Sequence, residues 1–175
     1  YIFSANDKPS GTVLLLNKPV GYVCSRDGQG APTVYELLPQ QYQQFKIAGR
    51  LDKDSSGLVV LTNDGDLLNK LTHPSFKKVK IYEIALNRAL SDTDLEKITK
   101  VGVRIGDPRP SRFALQQNPT DSTRKKWVAK LEEGRNRQIR RTFEALGYDV
   151  IDLHRTNLSN YELGSIAPKQ YSLAK

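Results

Sequence analysis

The sequence predicts an α+β fold in which a largely antiparallel mixed sheet is flanked by helices. Three observations carry that expectation. Segments with strand character outnumber helical ones, most links between them are of hairpin length, and no regular strand–helix alternation runs along the 175 residues. This length fits one domain, residues 1–175, able to bury a core without disulfides, and a 38% hydrophobic share is ordinary for a globular chain.

Thr12 to Asn17 reads as the first strand, ended by the Lys18-Pro19 and Gly21 turn. Tyr22 to Ser25 is extended, and a loop rich in Gly and Asp precedes a short helix from Thr33 to Leu38. Lys46 to Ala48 leads into the loop that carries Asp52. Leu58 to Leu61 is an unbroken apolar run between Ser55-Ser56-Gly57 and Asn63-Asp64-Gly65, the pattern of a buried strand between turns. Asp64 or Asp66 caps the following helix, because Leu67, Leu68 and Leu71 recur at helical spacing and an acidic side chain offsets free N–H groups. His73-Pro74 ends it.

Val79 to Asn87 alternates apolar and polar residues as a half-buried strand does, and Ser91 opens an amphipathic helix bearing Leu95 and Ile98. Val101 to Ile105, Arg112 to Gln117 and Trp127 to Glu132 read as further strands. A turn at Gly134 feeds a helix from Asn136 to Leu146, closed by Gly147 in the position after the cap. Asp149 to Leu153 and short extended pieces near Tyr161 and Tyr171 complete the sheet.

A net charge of +8, with basic residues gathered at Lys77 to Lys80, Arg104 to Arg112 and Arg124 to Arg141, points to a polyanionic partner, nucleic acid first. A membrane surface is disfavoured, since no basic helix with an exposed apolar face is visible and no apolar segment reaches membrane length. The single cysteine, Cys24, cannot form an internal disulfide and reads as a packed residue, so a reducing, cytoplasmic setting is expected.

Asp52 is the leading candidate for chemistry, because it lies on a loop braced by the Leu58 strand, where access and fixed position combine. The spacing of Asp52, Asp54, Ser56 and Gly57 imitates a calcium loop. That reading fails at the twelfth position, where Asn63 replaces the required Glu, and Arg50 and Lys53 bring the wrong charge. On the basic helix, Ile139, Phe143 and Leu146 make an apolar face and Arg137, Arg140 and Arg141 share another side, either to meet anions or to face solvent. Lys80 and Tyr82, two apart on a strand, project from one face, with Ile81 and Ile84 assigned to the other. Lysine beside tyrosine suits phosphate pairing with base stacking, against the commoner role of a strand tyrosine in a core.

The segments GRLDKDSSGLVVLTNDGDL, KIYEI and EGRNRQIRRTFEALGY, with NKPVGYVCS ahead of them, closely resemble the RsuA-type ribosomal RNA pseudouridine synthases. The likeness runs in the expected order from about Leu14 to Leu163, and several separate motifs agreeing is far stronger than one. The resemblance implies a pseudouridine synthase fold with a central RNA-binding cleft, and isomerisation of a uridine within ribosomal RNA. It makes Asp52 the nucleophile, Tyr82 the platform stacked on the target uracil and an aid to proton transfer from C5, and Arg140 the partner of Asp52. Arg50 matches the arginine that fills the space left by the flipped base. Lys18, Lys80, Arg135, Arg137 and Arg141 are expected to contact phosphates, which hold RNA without reading its sequence. An adjacent arginine would favour the charged, nucleophilic carboxylate, and a stacked uridine must be flipped out to be reached.

The resemblance calls for no metal and no organic cofactor, and it implies a monomer. Many relatives carry an RNA-binding domain of the S4 type ahead of the catalytic part, and residues 1–175 are expected to be the catalytic domain without it, whether or not one precedes them in the whole protein. The segment Asp107 to Ser111 departs from the family's usual loop. Two other readings remain beside catalysis on RNA: a binding module of the same fold without chemistry, and a glycoside hydrolase, for which Asp54 is the only nearby second carboxylate. The wording of GRLDKDS and GRNRQIRR favours large-subunit 23S RNA over small-subunit 16S RNA.

Overall fold

The computed structural model describes residues 11–174. The chain divides into two compact units, one formed by residues up to Lys77 together with Thr156 onward, the other by Lys78–Arg155.

In the first unit, β1 (Val13–Lys18) pairs antiparallel with β3 (Ser56–Thr62), which also takes the short β2 (Lys46–Ala48). Leu14, Leu16, Val59 and Leu61 are buried, as are their alternates Leu15, Leu58 and Val60, so both faces of this pair are covered. That is why the apolar run at 58–61 is continuous rather than alternating. Helix α1 (Gly65–Thr72) starts at Asp64, whose carboxylate accepts from the N–H groups of Asp66 and Leu67, and ends at His73. Its Leu67, Leu68 and Leu71 pack on the cluster of Leu15, Ala48, Leu58 and Val60. The expected helix at Thr33 is one 3₁₀ turn, Val34–Leu37.

In the second unit, β4 (Lys80–Leu86) pairs antiparallel with β6 (Lys126–Leu131), and β6 with β5 (Ala114–Gln117). Between β4 and β5, Ser91 caps α2 (Asp92–Glu96), which runs on through a π-type turn at Lys97–Val101. The strand expected over Val101 to Ile105 is absent: only Val103 pairs, with Ser111, and the residues between them form a loop. Helix α3 (Gln138–Ala145) follows, two residues shorter at its start than expected, and Gly147 turns the chain at φ 86°. Ile139, Phe143 and Tyr148 join Ile84, Leu86, Leu90, Ile98 and Trp127 in the core of this unit.

The chain then enters β7 (Val150–Leu158), longer than the expected Asp149 to Leu153, which lies next to β4 in strand order and whose last residues belong to the first unit. There β8 (Tyr161–Glu162) folds back on β7, and β9 (Tyr171–Leu173) pairs with β1.

Candidate active site

In the first unit, the loop from Gly49 to Ser55 joins β2 to β3. Gly49 turns at φ 97°, and the Ser55 N–H donates to the Asp52 carbonyl at 3.0 Å, closing a tight turn. Leu51 and Ser55 are buried while Asp52, Lys53 and Asp54 are exposed, so the loop is pinned at both shoulders and lifts its acidic side chains outward. Arg50 is exposed on the same loop.

The pins are identifiable. Lys18, fully buried at 0% exposure, donates its ammonium to the carbonyls of Ser55 at 2.6 Å, Pro19 at 2.9 Å and Lys53 at 3.3 Å. Three donors thus meet three acceptors, the full capacity of an ammonium. The Gly21 N–H donates to the Lys53 carbonyl at 2.8 Å, and the Leu51 N–H donates to Cys24 Sγ at 3.5 Å. Burial pushes the Lys18 ammonium below the usual lysine value, while Cys24, Asp54 and Asp52 act the other way. The expectation that Lys18 contacts phosphate is therefore corrected: a side chain sealed from solvent and spent on loop carbonyls supports the Asp52 loop instead.

In the second unit, Tyr82 is half-buried on β4 and packs against the core, opposite Ala129 across the ladder. Ile84 lies on the Tyr82 face, not the opposite one, because strand side chains repeat every second residue; its burial at 2% exposure fits that core face. Lys80 donates to the Glu133 carbonyl at 3.4 Å and rests against Gly134, where a Cβ would collide with its Nζ. Burial, then the like charges of Arg155 and Lys78, lower Lys80 to about 8, with Glu133 opposing.

Arg140 is buried at 7% exposure, and its Nη1 donates to the Val150 carbonyl at 3.3 Å. The expected charged face of α3 is thus divided: Arg137 is exposed, Arg141 half-buried, and Arg140 packed. Arg135 and Arg141 depart furthest from their expected role as phosphate contacts. Arg141 meets both Asp107 oxygens, at 3.0 and 3.1 Å, and Arg135 bridges Asp107 at 3.4 Å and Glu133 at 2.9 Å. In this structure both are held by the protein's own carboxylates and carbonyls. Sequence reasoning missed Asp107 and Glu133 in this role, although an acidic residue inside a strongly basic stretch was the available signal.

Among the described residues, no three or more His, Cys, Asp or Glu side chains gather as a metal-holding group, and no helix is long and apolar enough to cross a membrane.

The frame is strand-rich α+β, with an acidic loop ahead of β3 in the first unit and, in the second, a tyrosine on β4 and an arginine-rich α3. Residues 12–145 match the family described as RNA pseudouridylate synthase, and the chain belongs to that family. It is 35% identical over 160 residues to an uncharacterized RNA pseudouridine synthase of Aquifex aeolicus, covering 89% of this chain and 65% of the relative. It is likewise 35% identical to ribosomal large subunit pseudouridine synthase E of Vibrio parahaemolyticus (94% of this chain, 74% of the relative) and to ribosomal small subunit pseudouridine synthase A of Yersinia pestis (90% and 66%). A crystal structure of a pseudouridylate synthase superposes with a TM-score of 0.84 at 30% identity, over 94% of this chain and 70% of that one. The chain thus spans about two thirds of the length of several relatives.

Proposed function

We propose that this protein converts uridine to pseudouridine at defined positions in ribosomal RNA, with Asp52 as the nucleophile. The observation that supports this most is the Asp52 loop itself. A module that only bound RNA would have no use for an exposed carboxylate, which repels phosphate, on a backbone fixed by a buried lysine, a glycine N–H and a thiol.

In this reading the target uridine leaves the stack at a cost of a few kcal/mol, so that the base can be reached. The N1–C1′ bond breaks, the uracil turns, and C5 bonds to C1′; C5 loses its proton and N1 gains one, so the product is an isomer and nothing is consumed. Asp52 supplies the nucleophilic oxygen. Tyr82 stacks on the uracil and assists removal of the C5 proton. Arg140 is assigned as a cation of the reaction, and Arg50 as the residue that fills the space the base vacates. Lys80 and Arg137 are the cations assigned to phosphate, one on β4 and the other at the start of α3. The reaction balances without metal or cofactor.

Relatives named for the large and the small subunit are equally identical to this chain. The substrate assignment rests on the wording of GRLDKDS and GRNRQIRR, which favours 23S RNA. The protein would act as a monomer in the cytoplasm. Incubation with 23S and 16S RNA, followed by pseudouridine mapping, tests this: new pseudouridine in 23S RNA alone is expected. Modification of 16S RNA would overturn the subunit assignment, and none in either would overturn the activity.

A further inference from the structure

We propose that Asp107 is a positioning residue for the start of α3: through Arg141 and Arg135 it fixes the junction at Arg137, and so sets where Arg137 and Arg140 present their guanidinium groups. This rests on the reading above that α3 faces RNA. Asp107 itself touches no reacting atom.

The loop that carries Asp107 is closed at its base. Val103 and Ser111 exchange N–H to carbonyl bonds at 2.8 and 2.7 Å, and Gly102, at φ 100°, lies so close to Pro110 that a Cβ would come within 2.8 Å of it. Ser111 Oγ accepts from Gln138 Nε2 at 3.0 Å and from the Thr142 hydroxyl at 2.8 Å, so the base of the loop is bonded to the first two turns of α3. At the tip, the Asp107 carboxylate meets Arg141 with two parallel bonds, a geometry that fixes direction as well as distance. Arg141 also donates to the carbonyls of Ile105 at 3.0 Å and Asn136 at 2.6 Å, and Arg135 to those of Arg109 at 2.6 Å and Pro110 at 3.0 Å.

These bonds straddle Arg137. Its backbone is left-handed, at φ 47° and ψ 37°, and no side chain caps the helix it begins. A left-handed arginine is disfavoured and persists only where its surroundings over-determine it. Here the surroundings are the loop: Arg135 and Asn136 are tied to it or to Arg141 on one side of the junction, and Gln138, Arg141 and Thr142 on the other. These ion pairs join side chains that are only partly exposed, and their bonds run to both sides of the Arg137 junction. A network this dense around a strained residue is explained by placement.

The test compares Asp107→Ala, Asp107→Asn and Asp107→Glu with wild type for tritium release from 5-tritiated ribosomal RNA transcripts, thermal melting, and hydrogen exchange at the amides of Gln138 to Arg141. Asp52→Asn serves as reference. The Ala and Asn variants should lose up to about a hundred-fold in kcat, the scale on which a small misplacement transmitted from a distant mutation acts. The loss in kcat should exceed any fall in folded fraction at the assay temperature, KM should rise as Arg137 loses its placement, and Asp107→Glu should recover most of the rate. Amide exchange at the helix start should quicken in Asp107→Ala. Wild-type kcat in Asp107→Ala, or a loss that tracks melting temperature and that Asp107→Glu does not relieve, overturns the proposal. Full activity in Asp52→Asn would instead sink the functional reading. Exchange then decides the positioning role alone, and unchanged protection at Gln138 to Arg141 overturns it.

Discussion

The ammonium of Lys18 lies 2.6 Å from the carbonyl oxygen of Ser55, three residues past Asp52. A buried cation thus closes one end of the loop on which an exposed acid is presented. Lys18→Met removes the donor of the buried bond to the Ser55 carbonyl, at a cost of about 1–3 kcal/mol. Urea denaturation should show that loss, and pseudouridine formation should fall further than the folded fraction does.

Tyr82 offers a ring and a hydroxyl, which two substitutions separate. Tyr82→Phe keeps the stacking surface, so KM should hold while kcat drops. Tyr82→Ala removes a stacking contact of about 1–3 kcal/mol and should raise KM as well. Equal kinetics for Tyr82→Phe and wild type would remove the hydroxyl from proton transfer.

Lys80 gives a test at alkaline pH. Its folded value is lowered to about 8, from 10.5, by burial first. The unfolded chain therefore binds more protons between these values, and the Lys80 contribution to stability rises with pH across that window. RNA affinity should move oppositely as the charge is lost, with the slope of log affinity against log salt shallower by about 0.7, one phosphate contact on a single strand. Lys80→Gln should remove both trends.

Acid should undo a different pair. Asp107 lies below the usual carboxylate value chiefly through the hydrogen bond from Arg141, and Asp121 is lowered to about 2 chiefly by the Thr123 hydroxyl, with the N–H groups of Lys126, Thr123 and Lys125 adding to it. Depressed acids stabilise above their unfolded values and lose that contribution as pH falls through the folded ones. Stability should decline as pH drops from 3.8 toward about 2, and Asp121→Asn should flatten the decline.

Local patterns made much of the fold legible. The apolar run at 58–61, the Asp64 and Ser91 caps and the turn at Gly147 each act within a few residues, and the structure has strands, helices and turns there. Val101 to Ile105 misled because its alternation resembles a strand, while only Val103 finds a partner, Ser111. The loop position of Asp52 was equally readable. The roles of Lys18, Arg135 and Arg141 were not, because a charge reads as a surface residue until its distant acceptors are known: Ser55 lies 37 residues from Lys18, and Asp107 lies 34 from Arg141.

The most direct test of the account is the rate at which Asp52→Asn forms pseudouridine in ribosomal RNA, measured in single turnover with the variant shown to be folded and to bind RNA. The account predicts no product above background, because an amide cannot supply the nucleophilic oxygen that Asp52 presents. Product at the wild-type rate would contradict it.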